Sequence, residues 1–141
     1  MGYLLDTCIL SEFTKTYPAA AVDDWLERVP DASQFVSVLT LGEIEKGIQK
    51  LPASTRRRKL ELWLTEIRTR FQQQTLPIDE RVAIEWGRIS ARAESKGHPL
   101  PVVDTLIAAT AIVYGLSVVT RNTADMMHTG ATIIDPWESL S

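Results

Sequence analysis

The sequence is poor in the residue types that build disulfides and zinc sites. It contains one cysteine, Cys8, and two histidines, His98 and His128, among 141 residues. One cysteine cannot form an internal disulfide and fits a reducing compartment. A zinc site made of cysteine and histidine ligands cannot be assembled from so few residues. We therefore expect a cytoplasmic protein whose chemistry uses other side chains.

An excess of basic charge is missing as well. The chain has 15 Lys and Arg against 18 Asp and Glu, which gives a net charge of −3. Proteins that bind nucleic acid directly usually carry a basic surface, so the composition on its own argues mildly against nucleic-acid binding by this chain. The first residues, MGYLLDT, carry no basic segment and reach an acid at once. We expect no signal peptide.

One apolar window, residues 102–120, leaves a membrane span as an alternative. Asp104 near its start, Gly115 near its middle and scattered threonines argue against a span. The pattern instead predicts a buried helix over Val103–Tyr114, because its apolar residues lie on all sides. Gly115 suits a left-handed helix end. A buried strand is predicted over Leu116–Thr120.

Strands and helices alternate along the rest of the chain. Further strands are predicted at Tyr3–Leu5, Phe35–Val38 and Ala131–Ile134, and the last is a candidate edge strand. Helical spacing predicts helices from about Cys8 to Lys15, from Pro18 to Pro30, from Thr40, from Ser54 to about Gln73, and from Asp79 to Gly97. This alternation indicates one α/β domain over residues 1–141, built as a sandwich around a parallel sheet.

Four acids are predicted to meet at one edge of this sheet. Asp6 ends the first strand, and Glu43 lies one helical turn past the second. Asp104 opens the central helix, and Asp125 follows the strand at Leu116–Thr120. The carboxyl ends of parallel strands lie at the same edge, where ligands bind in such folds.

Each acid taken alone also has a local structural explanation. Glu43 can complete a capping box with Thr40, three residues earlier. Asp104 can be a helix N-cap, and Asp6 and Asp125 can form Asx turns. Taken together, four carboxylates at one edge repel each other and raise each other's pKa. Mg²⁺ or Mn²⁺ would neutralise them, and such a site suits phosphodiester hydrolysis by a metal-activated water.

Small polar residues flank these acids. Thr7, Thr120 and Asn122 could orient the carboxylates or a metal-bound water, although each is also an ordinary turn residue. His128 could approach the site, whereas Cys8 is an improbable nucleophile with no histidine near it in sequence.

The chain has one dense basic run, Arg56-Arg57-Arg58-Lys59. Cations at the start of a helix interact unfavourably with its dipole, so this run is expected to serve another purpose. It can contact an RNA backbone, contact a partner's acids, or form a solvated face. The sequence leaves these alternatives open.

Five segments together resemble the PIN-domain family, specifically the VapC-like and FitB-like toxins of bacterial toxin–antitoxin pairs. In chain order they are LLDTCILSE, SVLTLGEIEKGI, GHPLPVVDTLIAATA, VVTRNTAD and IIDPW. The resemblance implies a three-layer α/β/α sandwich, metal-dependent endoribonuclease activity, an antitoxin that occludes the site, and a homodimer.

The resemblance also assigns roles to residues. Asp6, Glu43 and Asp104 match the three central acids of the family, Asp125 matches the fourth, and Asn122 matches a position that is often Asn or Asp. Two positions depart from the pattern. Cys8 stands where such toxins often have Asn, and Met126 stands where Phe usually follows the last acid.

Two hypotheses follow from the sequence. In the first, the chain is a Mg²⁺- or Mn²⁺-dependent endoribonuclease toxin. In the second, it is mainly the non-catalytic partner of a DNA-binding antitoxin, and contacts DNA only through that antitoxin.

Overall fold

A parallel sheet of five short strands forms the centre of the computed structural model, which describes residues 1–138. The strands are β1 (Gly2–Leu5), β2 (Gln34–Ser37), β3 (Thr75–Leu76), β4 (Leu116–Val119) and β5 (Ile133–Ile134). Their order is β3-β2-β1-β4-β5, and every neighbouring pair is parallel. The predicted parallel sheet is confirmed, and β5 lies at an edge as expected. The sequence did not predict β3.

Seven α-helices connect these strands in the described part of the chain. They are α1 (Thr7–Ser11), α2 (Ala20–Arg28), α3 (Val38–Gln49), α4 (Thr55–Arg70), α5 (Glu80–Ser95), α6 (Val102–Tyr114) and α7 (Thr123–Met126). Short 3₁₀ turns occur at Glu12–Thr14 and Asp31–Ser33. None of the helices within residues 1–138 is long and apolar enough to cross a membrane.

The sheet carries helices on both faces, so the predicted α/β/α sandwich is confirmed. Leu5 and Val119 are paired across β1 and β4, and both pack into a core formed with α1, α2, α3 and α4. Leu4 and Val118 are paired beside them, and both pack on the other face against α6 and α7. Helix α5 packs on the outer side of α6. Adjacent strand residues point to opposite faces, which explains this division.

Two helix starts differ from the sequence prediction. Helix α3 begins at Val38, and the Ser37 hydroxyl caps it by accepting a hydrogen bond from the amide of Leu39 at 3.0 Å. The capping box between Thr40 and Glu43 is therefore wrong, because Thr40 already lies inside the helix. The Thr40 hydroxyl is buried without a hydrogen-bond partner within residues 1–138. The Glu43 carboxylate is left free to face the sheet edge.

The N-cap assigned to Asp104 is also wrong. Pro101 occupies the cap position of α6, and Asp104 lies in the first turn of the helix. A carboxylate there is still favoured by the helix dipole. Asp125 lies inside the four-residue helix α7 and not in an Asx turn.

Three other predicted helix boundaries are confirmed. The Ser54 hydroxyl caps α4, and Asp79 Oδ1 caps α5. Gly115 ends α6 in the left-handed region, at φ 69°. Asp79 Oδ2 also accepts a hydrogen bond from the hydroxyl of Tyr114 at 2.6 Å, which ties the start of α5 to the end of α6.

Candidate active site

An open cavity of about 490 Å³ lies at the edge where β1, β2 and β4 end. It is lined by Asp6, Thr7, Cys8, Ser11, Glu43, Asp104, Arg121 and Asn122. Three of the four predicted acids therefore meet in one cavity. Asp125 is not among the lining residues, but its charge acts on Asp104. The short helix α7 brings Asp125 to this edge.

Asp6 is held from two sides. It ends β1 and caps α1, with its Oδ1 accepting a hydrogen bond from the amide of Thr7 at 2.8 Å. Its Oδ2 accepts a hydrogen bond from the buried hydroxyl of Thr120 at 2.8 Å. The Thr120 hydroxyl in turn accepts from the amide of Asn122 at 2.9 Å. This chain of donors fixes the direction of the Asp6 carboxylate.

Glu43 projects from the second turn of α3 towards Asp6. The hydroxyl of Thr7 donates a hydrogen bond to Glu43 Oε1 at 3.1 Å. Glu43 is exposed as a whole residue, but partial burial of its carboxyl group raises its pKa, and the like charges of Asp6 and Asp104 raise it further. The hydrogen bond from Thr7 and the charge of Lys46 oppose this rise. Ionisation of the Glu43 carboxyl group is therefore less favourable here than in water.

Asp104 faces the same cavity from the first turn of α6. The side-chain amide of Asn122 donates a hydrogen bond to Asp104 Oδ2 at 3.1 Å. Burial raises the pKa of Asp104, and the charges of Asp6 and Asp125 add to the rise. The hydrogen bond from Asn122 lowers it in part. The two raised carboxyl groups show that negative charge is concentrated here.

The side chain of each flanking polar residue donates a hydrogen bond to one acid. Thr7 contacts Glu43, Thr120 contacts Asp6, and Asn122 contacts Asp104. All three donors are neutral. Within residues 1–138, no Lys or Arg forms an ion pair with any of the four predicted acids.

The donor set of the cavity fits a hard divalent cation by its chemistry, because Mg²⁺ and Mn²⁺ prefer carboxylate oxygens and water. In the described conformation, however, no three Asp, Glu, His or Cys side chains of residues 1–138 lie close enough together to hold one ion. The carboxylates lie within electrostatic range of each other, as their mutual effects on pKa show. The carboxylates thus lie around one cavity, but they are too far apart to coordinate a single ion together.

Arg121 was not singled out as a site residue from the sequence. Its side chain lies at the cavity, and its guanidinium lies over the ring of Trp137, 4.4 Å from the ring centroid. Its backbone amide donates a hydrogen bond to Cys8 Sγ at 3.4 Å. Ser11 was also missed, although it follows Thr7 by one helical turn and that spacing could have revealed it.

A second groove, of about 380 Å³, continues from the cavity. It shares Thr7, Ser11 and Glu43 with the cavity. Its wall also carries Arg56 and Lys15, and the Lys15 ammonium pairs with the buried carboxylate of Glu12.

The basic run at the start of α4 divides into two kinds of residue. Arg57 is used inside the protein: its guanidinium donates to the carbonyl of Leu51 and to Gln49 Oε1, both at 2.9 Å. It also lies 3.3 Å from Glu61 Oε1. The side chains of Arg56, Arg58 and Lys59 are exposed.

Known proteins with similar sequences point to one family. The PIN domain profile matches residues 3–128, a range that contains all four acids. The chain is 32% identical over 136 residues to a protein named VapC ribonuclease Y4jK of Sinorhizobium fredii, covering 96% of this chain and 97% of the relative. It is 30% identical over 135 residues to Toxin FitB of Neisseria gonorrhoeae, covering 95% of this chain and 97% of that toxin.

Solved structures agree with these relatives. FitAcB from Neisseria gonorrhoeae contains a chain that superposes with a TM-score of 0.90 at 30% identity, covering 96% of this chain and 99% of that chain. The DNA-bound VapBC of Salmonella typhimurium contains one with a TM-score of 0.80 at 27% identity, covering 96% and 98%. The fold, the carboxylate edge and the profile match agree: this chain belongs to the PIN domain family.

Proposed function

We propose that this chain is a metal-dependent endoribonuclease and the toxin of a toxin–antitoxin pair. One observation carries the proposal: Asp6, Glu43 and Asp104 share one cavity, and each is held by a neutral donor. Carboxylates gathered without a cationic partner suit a hard divalent cation and phosphodiester hydrolysis. The relative from Sinorhizobium fredii is named a ribonuclease, which supports RNA as the substrate.

In this proposal Asp6, Glu43, Asp104 and Asp125 would hold Mg²⁺ or Mn²⁺. When bound, such an ion lowers the pKa of water and offsets the negative charge that develops on the phosphate. Hydrolysis joins the oxygen of a water molecule to phosphorus and breaks one P–O ester bond, and the departing oxygen takes a proton.

The flanking residues have positioning roles in this proposal. The Thr120 hydroxyl keeps Asp6 directed at the cavity, while Thr7 and Asn122 do the same for Glu43 and Asp104. Neutral donors orient a carboxylate without cancelling its charge, so the full negative charge remains available to a cation.

We further propose that RNA lies across the cavity and along the adjoining groove. Arg121, held over Trp137, lies at the cavity, and Lys15 and Arg56 line the groove. Arg58 and Lys59 are exposed near the same end of α4 and could contact phosphates farther along. These contacts would be weakened by salt, since phosphate binding releases counterions.

An antitoxin is the protein partner in this proposal, and DNA is contacted only through it. The relatives include a protein named Toxin FitB, and solved neighbours include a DNA-bound VapBC. The net charge of −3 supports an indirect role at DNA. We propose that the protein works in the cytoplasm, where RNA substrates are found.

We also propose that residues 1–141 form one nuclease domain and that two copies pair as a homodimer. A groove of about 510 Å³ lies beside α5 and α6, with Ile84, which is 50% exposed, and Val113 as its apolar part. The charged residues Glu80, Arg81, Glu85 and Arg88 line the rest of it, so pairing there would combine apolar and charged contacts. Sedimentation equilibrium of the purified chain would measure the mass directly, and a monomer at micromolar concentration would refute the pairing.

One observation favours a second candidate, the non-catalytic partner of a DNA-binding antitoxin. Within residues 1–138, no three of the acids lie close enough together to hold a metal ion. The Cys8 and Met126 departures fall beside two of these acids. A binding role predicts a stable complex with an antitoxin and no cleavage once that antitoxin is removed.

The two candidates are separated by an RNA cleavage assay on the purified chain, freed of any antitoxin. Catalysis predicts cleavage with Mg²⁺ or Mn²⁺, and none with chelator or in Asp104→Asn. Asp24→Asn, which changes an exposed acid on α2, serves as the matched control and should cleave at the wild-type rate. Persistent cleavage by folded Asp104→Asn would refute the assignment. Inactive wild-type protein with both metals would favour the binding role.

A further inference from the structure

A second cavity, of about 340 Å³, has a basic wall. The charged or titratable side chains among its lining residues are Arg92, Lys96, His98 and His128, and no Asp or Glu lines it. Within residues 1–138, none of these four forms an ion pair. We call it the basic cavity. The proposed nuclease chemistry does not yet use it.

One wall of the basic cavity is fixed by the end of α5. The helix closes at Gly97, whose φ of 70° is left-handed, and the amide of Gly97 donates to the carbonyl of Glu94 at 2.9 Å. The amide of His98 donates to the carbonyl of Ala93 at 2.9 Å. These two bonds form a Schellman motif, which sets the direction in which the chain leaves the helix. His98 is thereby placed next to Arg92 and Lys96.

The opposite wall follows α7. Thr129 is 2% exposed, and its hydroxyl donates to the carbonyl of Met126 at 2.6 Å while accepting from the amide of Ala131 at 3.2 Å. These bonds anchor the segment that carries His128. The rings of His98 and His128 lie against each other at the cavity, with centroids 4.3 Å apart. Two separate segments are thus held so that four exposed, nitrogen-bearing side chains line one cavity.

The composition of the wall decides the charge of its ligand. Two histidines alone could attract a transition metal, but the Arg92 and Lys96 cations would repel it. Within residues 1–138, no carboxylate, thiolate or further imidazole lies near enough to the two histidines to complete a metal site. An anion is favoured by every charged group present, and Arg and Lys are the usual phosphate contacts.

The position of Arg92 and Lys96 in α5 has a simpler explanation that covers only part of the arrangement. Cations near a helix C-terminus interact favourably with its dipole. That effect does not account for the two histidines, which come from outside the helix. It also does not account for the cavity between them.

Two chain segments connect the basic cavity to two of the proposed catalytic acids, Asp104 and Asp125. The connector that starts at His98 leads into α6, whose first turn holds Asp104. His128 follows Asp125 by three positions, just after α7. We propose that the basic cavity binds a backbone phosphate of the RNA, next to the phosphate that is cleaved. This inference rests on the proposed function.

The histidine content of the chain gives a direct measurement. The chain has only two histidines, both at the basic cavity, so the histidine ring NMR signals of untagged protein report on this cavity alone. The probe is an oligoribonucleotide of about ten nucleotides in chelator, with gel analysis to verify that it stays intact. We expect both histidine signals to shift and to saturate with the same affinity. Inorganic phosphate alone should move them only weakly.

Charge removal gives the second measurement. Arg92→Gln/Lys96→Gln should weaken RNA binding about tenfold, and the slope of log affinity against log salt should fall by about 1.4, as expected for two lost single-strand contacts. Arg28→Gln/Arg68→Gln is the matched control: both residues are exposed and line neither the basic cavity nor the carboxylate cavity. The control should bind RNA nearly as the wild type does. Melting curves establish that both variants fold.

The outcomes separate this inference from the proposed function. If the wild type cleaves RNA with metal but the histidine signals stay fixed and the two double variants bind alike, the basic-cavity inference is overturned and the nuclease stands. If the wild type neither binds nor cleaves RNA, both are overturned. If Arg92→Gln/Lys96→Gln loses affinity for an Asp/Glu decapeptide but not for RNA, the cavity is a protein contact and the inference is overturned.

Discussion

The side-chain amide of Asn122 donates a hydrogen bond to Oδ2 of Asp104 at 3.1 Å, and so joins the loop after β4 to the first turn of α6. The Asn122 amide is neutral, so this hydrogen bond orients the Asp104 carboxylate without offsetting the negative charges of Asp6 and Asp125 that act on it. A lysine in place of Asn122 would neutralise Asp104 by forming an ion pair with it. Because the residue is a neutral asparagine, the negative charge of the site is left for a metal cation to balance.

A first prediction concerns stability without metal. In chelator, Asp104→Ala should leave the melting temperature nearly unchanged, because lost repulsion offsets the lost hydrogen bond to Asn122. Asp79→Ala is the matched comparison and should lower it by several degrees, since Asp79 caps α5 and holds Tyr114. Thermal denaturation monitored by circular dichroism measures both. A loss of several degrees in Asp104→Ala would show that Asp104 is mainly a structural residue.

A second prediction concerns pH. Burial and like charge raise the pKa of Glu43 and of Asp104 above the ordinary values of 4.5 and 3.8. The folded chain therefore binds these protons more tightly than the unfolded chain, and the associated stability is lost as pH rises through the raised values. In chelator, Glu43→Gln/Asp104→Asn should be more stable than the wild type at neutral pH.

That difference in stability should shrink as pH falls towards the ordinary carboxyl values. Glu12 and Asp79, whose pKa values are lowered, titrate below this window and are common to both proteins. Denaturation curves at a series of pH values give the difference directly. A difference that is constant with pH would contradict the raised pKa values.

The sequence anticipated the secondary structure best where apolar spacing and capping residues agree. Ser54, Asp79 and Gly115 were placed at helix boundaries, and each holds that role. The two-residue strand β3 was missed because it is too short to show a pattern, and its place is set by backbone pairing with β2. Ser37 lies in β2 as predicted and also caps α3, whereas Thr40, the predicted cap, lies inside the helix; both are good capping residues, and the sequence pattern alone does not distinguish them.

The site was anticipated in part for a similar reason. Parallel-sheet topology alone brings Asp6, Glu43 and Asp104 to one edge, so a motif reading could find them. The pairing of Arg121 with Trp137 and of His98 with His128 depends on how distant loops fold over the sheet. No spacing in the chain encodes those contacts.

A third prediction separates the members of the basic run. Arg57→Ala should lower the free energy of unfolding by about 1–2 kcal/mol, because it removes hydrogen bonds to Leu51 and Gln49 that join the end of α3 to α4. Arg58→Ala should leave stability within about 0.5 kcal/mol, since its side chain is exposed. RNA affinity should fall in Arg58→Ala. Urea denaturation and RNA titration measure the two effects, and the reverse pattern would contradict these roles.

A fourth prediction concerns Cys8. Its thiol lies at the cavity, accepts a hydrogen bond from the amide of Arg121, and lies 3.6 Å from the Thr120 hydroxyl. Burial raises the pKa of the Cys8 thiol, which disfavours a thiolate nucleophile. Cys8→Ser should therefore cleave RNA at close to the wild-type rate with metal present. Loss of cleavage in a folded Cys8→Ser protein would give the thiol a chemical role.

The central claim is that the carboxylate cavity binds a divalent cation, and calorimetric titration of Mn²⁺ into metal-free protein tests it most directly. The wild type should bind Mn²⁺ with measurable heat, and Asp6→Asn, Glu43→Gln and Asp104→Asn should each weaken binding by at least about tenfold. Glu45→Gln, an exposed acid two positions from Glu43 on the same helix, should bind as the wild type does. Absence of Mn²⁺ binding by folded wild type, or equal binding by the Asp104→Asn variant, would contradict the claim.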